Sequence, residues 1–306
     1  MLNPAPMPFK VNRPGPTVSA LSGFTLLDVQ GPGAEGFLQA QLMNDVSALT
    51  PGRWQWNGWL TPKGRVISLF ALARMSAETF LIVLPDHPAD ELRNALQRFV
   101  FRAKVTLTVR DGWRCAAGYD VSFDPAAPAR DSLAGTEESG WAMDWSGDGQ
   151  KGRCLFLLPE TDGALAPLGP ADEAIDARWL ADDLAHGLPR LPASQSEAWT
   201  PQMLSLDRLK AFSLKKGCYP GQEIVARTHY LGQAKRGLIR VGGTGLAGGT
   251  TVLDGENRSL GTVVCTTADR SQGLAVVTLG EETTLFGPEN APMNRLELLP
   301  GLERPV

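Results

Sequence analysis

Runs of strand length outnumber helical patterns along this chain, and that imbalance limits what it can fold into more than any other feature. Residues 24–30, 53–60, 65–74, 80–84, 105–109 and 153–158 read as strands, short apolar or alternating runs bounded by turn formers. Helical periodicity is confined to a few places. Residues 33–43 put Phe37, Leu38 and Leu42 on one side, and Leu92, Ala95, Leu96 and Phe99 recur at three- and four-residue steps behind Asp86, which reads as an N-cap. A third helix is expected over 171–185, ended by Gly187 and Pro189. Strands interleaved with single helices predict an α+β fold of mixed or antiparallel sheets with helices on one face.

Beyond Gly232 the pattern changes to short strands at 236–241, 250–253, 259–265, 274–279 and 283–286 with glycine turns between them, the signature of a small β-barrel. At 306 residues the chain exceeds the usual size of one core. The expected division is an N-terminal α+β domain over 17–112, a second α+β domain over 113–232 and a C-terminal barrel over 233–306. Residues 1–16 carry Pro4, Pro6, Pro8, Pro14 and Pro16 and no apolar core, so they read as a flexible leader, neither a signal peptide nor a membrane span. Residues 122–150, rich in Pro, Gly, Ser and acid, read as a loop or variable insertion.

Formal charge is −4, so the whole molecule offers no field for general nucleic-acid binding. Charge is nevertheless segregated. Residues 207–240 hold eight lysines and arginines against Asp207 and Glu223, whereas Asp172, Glu173, Asp176, Asp182 and Asp183 crowd one short stretch. The basic segment suits an anionic ligand. His87, His186 and His229 are too scattered for a metal triad or a Ser/His/Asp arrangement, and the glycines at 242, 243, 245, 248 and 249 precede no helix, so they are turn residues and not a dinucleotide fingerprint.

Cys115, Cys154, Cys218 and Cys265 are widely spaced and contain no Cys-x-x-Cys, so neither a disulfide framework nor a self-contained zinc or iron–sulfur site is indicated, and a reducing, cytoplasmic setting fits best. Three of them sit in apolar, strand-like surroundings. Cys218 differs. It lies in Lys216-Gly217-Cys218-Tyr219-Pro220-Gly221-Gln222-Glu223, after Lys215 and Lys216 and ahead of Arg227 and His229, with Pro220-Gly221 placed to open a short helix over 222–227. A thiol acts as nucleophile or ligand only as thiolate, and cations or a helix N-terminus favour that form, so Cys218 is the candidate reactive thiol with Lys216 and Arg227 beside it. The bland alternative has Lys216, Tyr219, Gln222, Glu223 and Arg227 shaping the loop, with Glu223 and Arg227 paired at i,i+4; both roles are expected together. Trp54, Trp56 and Trp59 share one expected strand and read mainly as sheet packing, although a flat heteroaromatic ligand also wants aromatic faces.

The octapeptide resembles the signature of the YgfZ family of folate-binding proteins, relatives of the glycine cleavage T protein. The likeness extends upstream through Thr200-Pro201-Gln202, Leu206, Leu209, Ser213 and Lys215 and downstream through Ile224-Val225-Ala226-Arg227. It reappears near the N-terminus at Gln39-Ala40-Gln41, Asn44-Asp45-Val46 and Lys63-Gly64-Arg65. The resemblance implies a three-domain, T-protein-like arrangement around a central opening. There it implies tetrahydrofolate or a derivative, with Phe24 and Trp179 as aromatic binding residues; Tyr219, Gln222 and Glu223 are assigned to ligand binding as well. Phe24 stands where tryptophan is common in the family, which weakens stacking.

On the same resemblance, the chain supports iron–sulfur cluster assembly or repair, and through it tRNA modification, with Cys218 as reactive thiol or transient cluster ligand. Expected partners are folate and iron–sulfur enzymes or cluster carriers, without stable nucleic-acid binding, a membrane or a permanently bound metal. Two other readings stand beside it, a tetrahydrofolate-dependent aminomethyltransferase and a non-catalytic folate-sensing scaffold. T proteins carry an acid pair just after the glycine-rich hairpin, where a carboxylate handles the proton transfer of methylene passage. Here the residues are Ile67-Ser68-Leu69-Phe70, which counts against aminomethyl transfer and leaves open whether the chain is an enzyme.

Overall fold

Period-two burial organises the first sheet. The computed structural model describes the strand Phe9–Lys10 and residues 18–123, 130–148, 152–160, 168, 170–230, 235–280 and 283–304. In the N-terminal part, Arg53–Leu60, Val66–Arg74, Thr79–Leu84, Thr25–Gln30 and Thr106–Val109 lie side by side in that order, antiparallel throughout. Leu27, Val29, Phe70, Leu72, Phe80 and Ile82 point to one face and meet Phe37 and Leu38 of helix α1 (Ala34–Gln41) and Leu92 and Leu96 of helix α2 (Ala89–Gln97). Leu26, Trp54, Trp56, Leu69, Ala71 and Val83 point the other way, into the core shared with the rest of the molecule.

The second sheet is also antiparallel, in the order Leu133–Thr136, Gly140–Asp144, Cys154–Pro159, Trp113–Gly118, Val18–Ala20. Its Cys115, Ala117, Met143, Leu155 and Leu157 join that shared core together with Trp179 and Leu184 of helix α3 (Glu173–Ala185). Helix α3 starts where Asp172 accepts the Ala174 N–H at 2.9 Å. The C-terminal strands Arg236–Gly242, Gln272–Thr278, Ser259–Thr266, Thr251–Leu253, Leu285–Phe286 and Pro292–Leu296 close into a barrel. Val241, Val263, Ala275 and Val277 fill it, while Leu238, Val264, Leu274 and Val276 face outward into the shared core. The fold is therefore α+β with helices on one face of an antiparallel sheet and a small terminal barrel, as the patterning predicts.

Several local expectations give way. Residues 122–150 are not simply loop: Leu133–Thr136 and Gly140–Asp144 form a hairpin, because Cys154–Pro159 supplies a partner edge that no local pattern reveals. Strands Trp113–Gly118 and Pro292–Leu296 are additional to those expected, and Phe9–Lys10 pairs with Ser122–Phe123. The rest of residues 1–16, residues 124–129 and 149–150 of the expected loop, and the expected border at residue 232 lie outside the described residues. Asp86 is no N-cap. Helix α2 is capped by Pro88, which has no side-chain bond to offer, and the Asp86 carboxylate accepts the Leu191 N–H at 2.5 Å instead. Among the described residues no helix is long and apolar enough to cross a membrane.

A buried ion network bolts helix α3 to both sheets. The Asp183 carboxylate, fully buried, accepts from Arg153 Nη2 at 2.7 Å, Trp145 Nε1 at 3.1 Å and Arg190 Nη2 at 2.6 Å. Arg153 also donates to the carbonyls of Trp145 and Trp179, and Arg190 to that of Pro85. A buried pair adds little against a well-packed apolar substitute, but removing one partner strands the other charge. Replacing Asp183 by Asn is therefore expected to cost about 3–5 kcal/mol, read as a lower urea midpoint with an unchanged m-value.

Candidate functional site

The loop carrying Cys218 is fastened by the lysine two residues before it. Lys216 is only 6% exposed, and its ammonium donates to the carbonyls of Gln39 at 2.6 Å, Leu42 at 2.6 Å and Asn44 at 3.0 Å. Three N–H donors meet three acceptors. These carbonyls belong to the end of helix α1 and the turn behind it, where backbone oxygens lack intrahelical partners and the helix dipole is negative. The lysine thus caps α1 from more than 170 residues away in sequence. Burial pulls its pKa from 10.5 to about 8, against the nearby Asp45 carboxylate, which favours the charged form.

The N-terminal segments that carry the family resemblance form the receptacle. Gln39 accepts the Val46 N–H at 2.8 Å and donates to Asp45 Oδ1 at 3.0 Å. Asn44 donates from Nδ2 to the carbonyls of Trp56 at 2.9 Å and Lys210 at 2.8 Å, and its own N–H donates to Asn57 Oδ1 at 2.9 Å. The hairpin around Lys63-Gly64-Arg65 completes the clamp. Gly221 and Gly64 both have positive φ, +81° and +69°, and a Cβ on Gly221 would fall 2.6 Å from Gly64 Cα and from the Thr61 carbonyl. Neither position tolerates a side chain. Arg65 reaches the Ala198 carbonyl at 2.7 Å, and Gln202 reaches that of Val225 at 2.8 Å.

This fastening leaves Gly217 and Cys218 exposed at the tip of the loop. Helix α4 (Gln222–Tyr230) begins four residues after the sulfur, longer at its C-terminal end than the expected 222–227. Tyr219 is buried, its hydroxyl donating to the Ser213 carbonyl at 3.4 Å and its ring 4.9 Å from Lys216 Nζ. Gln222 donates to the Lys216 carbonyl at 3.1 Å. Both shape the loop from inside. Glu223 and Arg227 are exposed on α4, and the expected i,i+4 ion pair between them is not formed among the described residues. The ammonium expected to flank the sulfur is turned inward onto carbonyls, so the cations on the outer side of this segment are Lys215 and Arg227. Cys115, Cys154 and Cys265 are buried, and burial pushes each thiol up, Cys265 to about 12.

Phe24 and Trp179 belong to a second cluster centred on Trp145. That residue stacks on Trp54 with centroids 5.3 Å apart and planes 11° apart, and Trp56 meets it edge-on at 4.7 Å. Phe24 contacts its edge at 6.4 Å and Trp179 lies 6.1 Å away. Trp179 is 1% exposed; Tyr119 and the Arg153 guanidinium take up the rest of its surroundings. Phe24 is half-buried beneath the Arg190 guanidinium at 5.2 Å. Trp59 lies on the opposite, helix-facing side of its strand. The two clusters meet at Trp56, whose carbonyl accepts from Asn44 while its ring packs on Trp145 and its Nε1 donates to the Leu302 carbonyl at 2.8 Å.

Trp145 went unnoticed in the sequence because it falls in the stretch read as loop, although the apolar residues before it, Trp141-Ala142-Met143, were a signal. Arg304 gives no local signal at all. It is fully buried, donates to the carbonyls of Asp144 at 2.6 Å and Ser146 at 3.1 Å, and lies 5.0 Å over Trp54.

A family profile described as "GCVT N-terminal domain" matches residues 13–117. The chain is 29% identical over 230 residues to a protein named "tRNA-modifying protein YgfZ" from Vibrio vulnificus, covering 74% of this chain and 70% of the relative. It is 30% identical over 241 residues to a protein of the same name from Aliivibrio fischeri, covering 75% and 72%. Among solved structures, the glycine cleavage system aminomethyltransferase T from Bartonella henselae superposes with a TM-score of 0.67 over 90% of this chain and 83% of that one, at 14% identity. That likeness is one of fold.

Replacing Lys216 by Met leaves three carbonyls without a donor and is expected to destabilise the chain by roughly 3 kcal/mol. The pH dependence checks the cause. Between about 8 and 10.5 the unfolded chain holds a proton that folded Lys216 has released, so stability contributed by this group rises with pH across that window. Chemical denaturation over that range should show wild type gaining on Lys216→Met as pH increases, and a flat difference would contradict the assignment.

Proposed function

Since the chain belongs to the YgfZ family, we propose that it is a folate-binding protein that supports iron–sulfur cluster assembly or repair and thereby tRNA modification, with Cys218 as its working thiol. The observation that carries this reading is the convergence of three separated segments on one exposed cysteine. Lys216, the turn after α1 and the Gly64 hairpin hold the loop from inside and present the sulfur outward. Such fastening is excessive for a cysteine with only a packing role. One thiol cannot hold a cluster, so the other ligands come from a client or carrier protein.

Folate fits the aromatic cluster in part. Trp179 Nε1 and Arg190 Nε are buried donors without partners, and a pterin ring carries carbonyl and ring-nitrogen acceptors. Phe24 retains a partly open ring. Trp179 would take part through its N–H rather than by stacking, since its neighbours already enclose it. Residues at the place of the acid pair are Ile67, Ser68, Leu69 and Phe70, the last three buried, so this segment offers no carboxylate for aminomethyl transfer.

Substitution of Cys218 by Ala separates the roles. In cells lacking the native gene, the variant should fold and quench its tryptophan fluorescence with tetrahydrofolate as wild type does. The activity of a cluster-dependent tRNA methylthiotransferase in those cells should fall to the level of the deletion. Full activity with the variant would remove the thiol from the function and favour a folate-sensing scaffold.

A further inference from the structure

The first sheet ends on a strand whose outer side has no neighbour. Thr106–Val109 is last in the sheet order and, among the described residues, pairs only with Thr25–Gln30. Just beyond its two ends, Arg110 donates its N–H to the Leu26 carbonyl at 2.9 Å, and the Lys104 carbonyl accepts the Gly33 N–H at 3.1 Å. Antiparallel pairing alternates, so Thr106 and Thr108 bond inward like these, while the Leu107 N–H and carbonyl and the Val109 N–H point outward. The Val109 carbonyl already accepts the Asp111 N–H at 3.2 Å. Such an edge templates another strand unless a charge or a proline blunts it, and Thr106–Val109 contains neither.

The segment leading into this edge is apolar and cationic at once. Phe101 is 92% exposed and Phe99 is 48% exposed, its ring edge-on to Trp59 at 6.0 Å. One exposed apolar residue is ordinary. Here two phenylalanines stand among Arg98, Arg102 and Lys104, all three exposed and none in an ion pair among the described residues. Aromatic anchors with arginine beside them are the residues that protein interfaces concentrate. Single-stranded nucleic acid and an anionic lipid surface answer the cations and the rings but leave the main-chain groups of the edge bare. A second copy paired in register about Leu107 answers the main chain but sets Lys104 opposite Arg110, like charge against like. An extended acidic peptide answers all three features.

We propose that this edge receives an extended acidic segment of a partner protein as an added strand. The main chain of that segment bonds Leu107 and Val109, its apolar side chains lie on Phe99 and Phe101, and its carboxylates face Arg98, Arg102 and Lys104. The main-chain bonds supply affinity, and the rings and cations choose the sequence. The inference stands apart from Cys218 and from folate, since none of these residues belongs to the loop or to the aromatic cluster described above.

Fluorescence anisotropy of the full chain with the labelled peptide Glu-Asp-Glu-Val-Thr-Val-Thr-Val tests this. Binding should weaken on the order of tenfold when the peptide carboxylates become amides. Phe101→Ser, at an exposed position outside the core, should weaken it by roughly the same factor. N-methylation at alternate peptide residues should abolish binding in one phase and spare it in the other, and the Leu107 and Val109 amides should gain protection from hydrogen exchange when peptide is bound. Absence of binding at millimolar peptide, equal loss in both methylation phases, or unchanged exchange at Leu107 would overturn the proposal. So would tighter binding of oligouridylate or phosphatidylserine vesicles that Phe101→Ser abolishes, or a concentration-dependent dimer that the same variant dissolves.

Discussion

Three carbonyl oxygens, from the end of helix α1 and the turn behind it, and a single lysine ammonium hold the functional half of this molecule in register. Helix α1 stops after Gln41, so oxygens of its last turn lack intrahelical partners. Lys216 supplies the donors from more than 170 residues further along the chain, and its burial is tolerable because every proton finds an oxygen. The consequence for chemistry is indirect. With residue 216 pinned inward and Gly221 pressed against Gly64, Gly217 and Cys218 are left exposed while Tyr219 stays buried.

The same economy of partners governs the interior. Trp54, Trp56 and Trp145 pack where the inner faces of the two sheets meet, and aromatic pairs of this kind contribute about 0.5–1.5 kcal/mol each beyond their buried area. Asp183 fixes the orientation of that cluster through the Trp145 indole and two guanidinium groups. Arg304 closes it from the C-terminal side, donating to the carbonyls flanking Trp145. Trp56 belongs to both systems: its carbonyl serves the Lys216 receptacle through Asn44, and its ring serves the aromatic cluster. A disturbance of either cluster therefore has a short physical route to the other.

Local chemistry was sufficient for much of this. The strand-length runs at 53–60 and 65–74 mark strands of the first sheet, and the short glycine-punctuated strands after residue 235 assign the barrel. The distinct surroundings of Cys218 among four cysteines were also visible, because lysines and glycines mark a turn and apolar neighbours mark a strand. Segments 39–46 and 63–65 are marked only by the resemblance to the YgfZ family, which also covers 216–223. Their common purpose has no such mark. Nothing local says that the Lys216 ammonium turns away from the sulfur, since both directions are open to a long side chain until carbonyls and solvent compete for it.

What composition, periodicity and spacing determined by themselves was the α+β class, the terminal barrel and the cysteine to watch, all properties that depend on neighbours a few residues apart. What only the tertiary structure decided was which distant groups complete one another. The Gly140–Asp144 strand needs the edge of Cys154–Pro159, the end of α1 needs Lys216, and Trp145 needs Asp183 and Trp54. A buried polar atom must find a partner wherever the fold puts it, and that partner's position in the chain leaves no trace in local sequence.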